Sequence, residues 1–144
     1  MGKLLTCFLL LVYPVFARAA EARGFVRPEG CSQFTGAHLE LQQIDGQKLR
    51  KAIVLKIPWV SYFENSLNQW FDITSTGCAD DRCETIKAAK IRVAHVSYGI
   101  FVPFRGRNIN GFSGDVLIEF PDGHKFEGQF IARTRKAVHR IICE

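Results

Sequence analysis

The sequence predicts an all-β domain, or a mainly β domain with one short helix, built as a small β-sandwich or barrel of six to eight mostly antiparallel strands. Short runs rich in β-branched and aromatic residues recur along the chain, and Gly, Pro, Asn and Asp separate them about every 8 to 12 residues. The 144 residues are 47% hydrophobic and 23% charged. That composition is typical of a globular domain and excludes disordered and collagen-like classes.

Residues 1–20 have the parts of a secretory signal peptide. Lys3 supplies a positive charge, an apolar stretch follows it, and Ala17-Arg18-Ala19 forms a cleavage site of the A-x-A type. The apolar stretch is shorter than a membrane span, and Pro14 interrupts it. We therefore expect cleavage after Ala20, a secreted or periplasmic mature chain, and no transmembrane segment in it.

The mature chain is expected to begin with an extended N-terminal segment, residues 21–36, whose proline and glycines do not favour a regular element. A single β-rich domain is expected over 37–144. Polar and apolar residues alternate over 38–42, and 52–57 is a β-branched run. The Asp45-Gly46 pair between them predicts the turn of a first hairpin.

The middle of the chain is less regular. Residues 59–63 are aromatic, 64–69 predict a loop or a single helical turn, and 70–76 have strand composition. Residues 84–90 permit either a short helix or a strand, and we favour the strand. The alternation over 91–98 predicts a strand clearly.

Glycine and proline dominate the predictions for the next part of the chain. Gly99 and Pro103 predict an interruption around residues 100–104, and the glycines and asparagines of 105–114 predict a long exposed loop. A closing strand is expected over 138–143.

The clearest element is a hairpin formed by 115–120 and 125–133 around Asp122-Gly123. Both arms alternate, so each has one face for the core and one for solvent. Core positions are expected at Val116, Ile118, Phe120, Phe126 and Phe130, and solvent positions at Glu119, Lys125 and Glu127.

Four cysteines follow the leader: Cys31, Cys78, Cys83 and Cys143. An even number in an exported chain favours two disulfides, for which three pairings exist. We favour Cys78–Cys83, which closes a tight loop, and Cys31–Cys143, which joins the two ends of the domain. A zinc site is the alternative, but no two histidines have the spacing of a zinc-binding pair. We therefore expect no metal and no other cofactor.

Two kinds of side chain are candidates for ligand binding. Tryptophans in the aromatic segment suit stacking on sugar rings, although aromatic residues in small β domains more often form the core. Arginines on either side of the final hairpin suit an anionic ligand. The stacking candidates are Trp59 and Trp70, and the arginine candidates are Arg105, Arg107, Arg133 and Arg135.

Charge limits the class of partner. Loss of Lys3 and Arg18 with the leader lowers the net charge from +5 to +3, and the basic residues are not interleaved with aromatic ones. Nucleic acid is therefore not expected. The candidate partners are a glycan, an anionic envelope surface or another exported protein.

The sequence contains no nucleophile motif and no phosphate-binding glycine loop before a helix. It therefore favours a non-enzymatic binding or accessory module. One alternative is a small secreted hydrolase whose composite site uses His95 or His124 and a nearby carboxylate. Another is a barrel that carries a small apolar ligand, which needs a roomy interior.

Overall fold

The structure is a computed structural model that describes residues 20–28, 36–58, 63–73, 81–102 and 106–135. Seven strands make up most of this part of the chain. They form one mixed sheet in the order β3-β2-β1-β7-β6-β5-β4, which curls into a half-barrel. The predicted β fold is confirmed. The strands are β1 (Glu21–Pro28), β2 (Ala37–Ile44), β3 (Gln47–Ile57), β4 (Trp70–Ile73), β5 (Ala88–Val102), β6 (Gly106–Glu119) and β7 (Lys125–Thr134).

Strand β1 joins the two halves of the sheet. It pairs antiparallel with β2 and parallel with β7, whereas the other neighbouring pairs are antiparallel. At the far edge, the backbone of Cys83 bridges to Ala52 of β3, and the amide of Glu84 donates to the Ala52 carbonyl over 2.8 Å. The segment before β5 therefore contacts the opposite edge of the sheet and helps it to curl.

The hydrophobic core lies on the inner face of the curled sheet, where alternate residues of the strands are buried. Phe63, from the turn before β4, is fully buried among them. Its ring packs edge-to-face against Phe71 and Phe112, with centroid distances of 5.4 and 6.2 Å. The largest fully buried side chains are Phe63, Phe130, Leu39, Leu41, Ile53, Leu55, Ile91, Ile118, Val26, Val93 and Val116.

Both predicted hairpins are confirmed. Asp45 and Gly46 have φ of 50° and 79°, the left-handed backbone that a tight two-residue hairpin turn requires. In the final hairpin, Glu119 pairs with Lys125. Val116, Ile118 and Phe130 are buried, and Phe120 and Phe126 are partly buried against the same core.

The sheet begins earlier than the sequence predicts, because Glu21–Pro28 is a strand and not only an entry segment. Ala22 and Val26 are buried on its inner face. Gly24 obscures this alternation, but a Cβ at Gly24 would overlap the carbonyl of Glu40. Glycine therefore serves a close approach of two strands there.

The predicted loop over 105–114 is wrong for residues 106–114, which belong to β6. Where an interruption is predicted around 100–104, β5 continues to Val102, but its pairing with β6 shifts register between Tyr98 and Phe101. The glycines of β6 have a packing role. A Cβ at Gly111 would overlap the carbonyl of Ala132 on the neighbouring strand. Gly111 is therefore required by the close approach of the neighbouring strand and not by a turn.

Residues 84–90 contain no helix: residues 84–86 have no regular structure and β5 begins at Ala88. The predicted turn after Phe63 is present, and strand composition from Trp70 corresponds to β4. The leader and the predictions for 59–62, 74–80, 103–105 and 138–143 lie outside the described residues.

Candidate anion-binding groove

Two adjoining depressions lie on the outer face of the sheet and share Ile131 and Arg133 of β7. One has a volume of about 490 Å³ over β1, β2 and β7, and the other about 420 Å³ over β5, β6 and β7. We call the pair the arginine groove. Its first half is lined by Arg23, Gly24, Phe25, Gln42, Gln43, Ile131 and Arg133, and its second half by His95, Ser97, Asn110, Gly111, Phe112, Ser113, Ile131, Ala132, Arg133 and Thr134.

Strand register places Arg133 at the centre of this groove. It lies opposite Gly111 of β6 on one side and Phe25 of β1 on the other. Ile131, two residues earlier, lies on the same face and is opposite Arg23 of β1. Because side chains two residues apart on a strand share a face, β7 presents both side chains outward. Ile131 is 45% exposed.

Irregular pairing bends the strands beside the groove. Register shifts occur between Arg23 and Gly24 in β1, between Leu41 and Gln43 in β2, and between Val93 and His95 in β5. A bulge bends its strand, increases the local twist and redirects side chains. We attribute the concave shape of this part of the outer face to these bulges and to the glycines that bring the strands together.

The electrostatics of the groove favour an anion. Its described lining contains no aspartate or glutamate. Arg23 pairs with Glu21, and the Arg135 guanidinium lies 4.9 Å from the centroid of the Phe25 ring. Arg133 is exposed and has no ion pair within the described part of the chain. Its guanidinium is therefore available to a ligand and carries five donors in a planar fork.

Neutral hydrogen-bonding groups line both sides of this cation, and the two nearby carboxylates, Glu21 and Glu40, are paired with Arg23 and Arg27. Ser97 and Asn110 line the β5–β6 side, and Gln42 and Gln43 line the β1–β2 side. The Ser97 hydroxyl donates to the Gly111 carbonyl over 3.2 Å, so its oxygen remains able to accept. Such a surface can bind a ligand that combines a negative charge with many hydroxyls.

The structure describes the backbone of three of the four predicted arginines. Arg133 lines both halves of the groove, and Arg135 lies beside it on Phe25. Arg107 is in β6, with its backbone opposite Phe101 and four residues from Gly111, which is about 13 Å along the strand. Arg105 lies outside the described residues. Arg107 is therefore not beside Arg133 in register.

Trp70 is 46% exposed on edge strand β4, as a stacking residue should be. The Arg92 guanidinium lies 5.1 Å from its ring centroid, and Arg92 also binds Asp115 over 2.8 Å. A cation therefore already contacts the Trp70 ring. Trp59 lies outside the described residues.

The histidines of the hydrolase alternative are in different places. His124 shares a separate depression of about 410 Å³ with Asp122 and Glu84. Asp122 Oδ1 accepts a hydrogen bond of 2.9 Å from the backbone N–H of His124, so this carboxylate supports the hairpin turn. His95 lies in the arginine groove, whose described lining contains no carboxylate.

The carrier alternative requires interior space, but the inner face of the described sheet is packed with aliphatic and phenyl side chains. Of the predicted disulfide cysteines, Cys83 is described, whereas Cys31, Cys78 and Cys143 lie outside the described residues. Both pairings therefore stay predictions. Within the described ranges, no three His, Cys, Asp or Glu side chains are grouped as a metal ion requires.

Sequence reasoning missed most residues around Arg133. Phe25, Gln43 and His95 are far apart along the chain and meet only through the strand order. One local signal was present: the alternation of the final hairpin places Ile131 and Arg133 together on the solvent face. A single exposed apolar residue is common on protein surfaces, so this signal does not by itself mark a binding site.

Comparisons with known proteins identify no relative: no family model, no curated protein and no solved structure matches this chain. Among the described residues, no helix has the length and apolar character that crossing a membrane requires.

Proposed function

We propose that this protein is an exported, non-enzymatic binding module, stabilised by two disulfides, that binds an acidic glycan in the arginine groove. The observation that carries the proposal is the exposed Arg133, without an ion pair among the described residues, at the centre of a groove whose described lining has no acidic side chain. Charge-assisted hydrogen bonds from a guanidinium to a carboxylate are among the strongest polar contacts that proteins make.

Export is supported by the leader, and crosslinking by the even number of cysteines that follow it. Cys83 lies where the segment before β5 contacts β3, so a Cys78–Cys83 bridge would rigidify this edge. Mass spectrometry of the secreted protein, with non-reducing peptide mapping, tests both points. We expect a mature chain starting at Glu21 with the Cys78–Cys83 and Cys31–Cys143 bridges. A retained leader or free thiols would contradict this part of the proposal.

A glycan is favoured over the other candidate partners because hydroxyl and amide groups surround the cation. An anionic lipid surface is normally met by a cluster of basic residues, and the described groove offers one unpaired arginine. A protein partner is normally anchored by large buried aromatic side chains. Here Phe25 is already covered by Arg135.

Calorimetric titration with polygalacturonate at low ionic strength tests the binding function. Arg133→Gln should weaken binding about ten- to a hundredfold, corresponding to the ~1.5–3 kcal/mol of a hydrogen bond to a charged group. Lys125→Gln removes the same charge from the same strand outside the groove and should change the affinity less than about twofold. Equal weakening by both variants would show non-specific attraction and would overturn the site.

A further inference from the structure

We infer that the ligand is a linear acidic polysaccharide lying across the strands from β5 to β2, so that a single sugar acid fills only the centre of the site. This inference rests on the proposed function and specifies its substrate class. It follows from three properties of the arginine groove: its length, the position of its cation, and the chemistry at its two ends.

The length of the groove exceeds that of a small anion. Its described lining comes from five strands that are consecutive in the sheet, β2, β1, β7, β6 and β5. At about 4.8 Å between neighbouring strands, this is about 19 Å. Both halves are open surface depressions that meet at Ile131 and Arg133. An extended chain can occupy both halves at once, whereas one sugar ring cannot.

The position of the cation sets the charge density of the ligand. Arg133 lies in the middle, and Arg23, the other lining arginine, is paired with Glu21. A nucleic acid or a highly sulfated chain presents many charges and is normally met by many cations. One central arginine suits a polymer with about one carboxylate per ring, of which a single carboxylate is recognised directly.

The two ends suit hydroxyl groups. His95 and Asn110 lie at the β5–β6 end, and Gln42 and Gln43 lie at the β2 end. The Gln42 and Gln43 amides donate to Glu40 and to the Gly46 carbonyl, and their oxygens remain able to accept. Asn110 and His95 offer further hydrogen-bonding groups. The Phe25 ring is covered by Arg135 and is not an open platform for a nucleobase. The contacts away from Arg133 therefore match the hydroxyls of neighbouring sugar rings.

The test is a calorimetric series with galacturonic acid and galacturonate oligomers of two, four and six rings, using the secreted full chain. We expect affinity to rise at least about tenfold from the single ring to the six-ring oligomer, a difference of ~1.4 kcal/mol. His95→Ala and Gln43→Ala, at opposite ends, should each weaken the six-ring oligomer severalfold and leave the single ring within about twofold. Gln47→Ala removes an exposed amide outside the groove and is the matched control.

The outcomes separate this inference from the proposed function. Binding of no oligomer at all would overturn both. Equal affinity for the single ring and the six-ring oligomer would overturn the inference and leave an anion site at Arg133. Full six-ring affinity in both end variants, each with a wild-type melting temperature, would overturn the placement across the strands. Tighter binding to phosphatidylglycerol vesicles or to a polyglutamate peptide than to the six-ring oligomer would overturn the ligand class.

Discussion

Phe63 is expected to be one of the residues on which the stability of the domain most depends. It is fully buried and makes edge-to-face contacts with Phe71 and Phe112. Truncation of a buried phenylalanine to alanine costs about 3–5 kcal/mol. Each aromatic contact contributes ~0.5–1.5 kcal/mol beyond buried area. We therefore expect Phe63→Ala to lower the free energy of unfolding by an amount near the top of that range. Phe63→Leu keeps most of the volume but loses both aromatic contacts, so it should lower the free energy of unfolding by about 1–3 kcal/mol.

Urea unfolding followed by tryptophan fluorescence measures these losses through the midpoint, with the slope unchanged. Leu67→Ala is the matched control, because Leu67 belongs to the same short connection and is 40% exposed. Its effect should stay within about 0.5 kcal/mol. A Phe63→Ala loss below ~1 kcal/mol, or one no larger than that of the control, would refute a packed interior and revive the carrier alternative.

Three further predictions concern the strands. Gly111→Ala should lower the free energy of unfolding by about 1–3 kcal/mol, because the added Cβ would overlap backbone atoms. Gly99→Ala should lower it by less than ~0.5 kcal/mol, because the added Cβ would meet only a flexible side chain, at 3.0 Å. Equal urea midpoints for the two variants would contradict this. Thr134→Val should raise stability by about 1 kcal/mol, measured in the same way, because the Thr134 hydroxyl is buried and has no hydrogen-bond partner among the described residues. The hydrogen bond and charge of Lys87 lower the pKa of Glu119 in the folded protein. The Lys87–Glu119 pair therefore stabilises the fold above the unfolded-state pKa of about 4.3, and this contribution is lost as the pH falls through the folded-state pKa of Glu119. Lys87→Gln should raise the pKa of Glu119, measured by NMR titration, and should reduce the loss of stability at acid pH. An unchanged pKa of Glu119 in this variant would contradict the pairing.

Local chemistry predicts the hairpins well. The Asp45-Gly46 and Asp122-Gly123 pairs both lie between alternating arms. In the final hairpin the turn and the alternation specify one register throughout, whereas in the first hairpin the register shifts between Leu41 and Gln43. The same reasoning fails at Gly24 and Gly111, because a glycine required by a close approach of two strands looks like a loop signal in sequence. The difference depends on which strands are neighbours, and only the assembled sheet supplies that information.

The candidate site follows the same division. Arg133 and Arg135 are predictable because a basic pair at the end of a hairpin arm has few local partners. The groove itself is not predictable, since Phe25 and His95 join it only through the parallel β1–β7 pair and the bulge in β5. For Trp70, the sequence suggests a binding residue, and its side chain is exposed as that role requires. Its ring is nevertheless already in contact with the Arg92 guanidinium, which the sequence does not predict.

The most direct test of the account is the affinity of the secreted protein for polygalacturonate, measured in parallel for wild type, Arg133→Gln and Lys125→Gln. We expect salt-sensitive binding that is weakened about ten- to a hundredfold by Arg133→Gln and changed less than about twofold by Lys125→Gln. Wild-type affinity in Arg133→Gln, with its melting temperature preserved, would contradict the claim that this protein binds its ligand in the arginine groove.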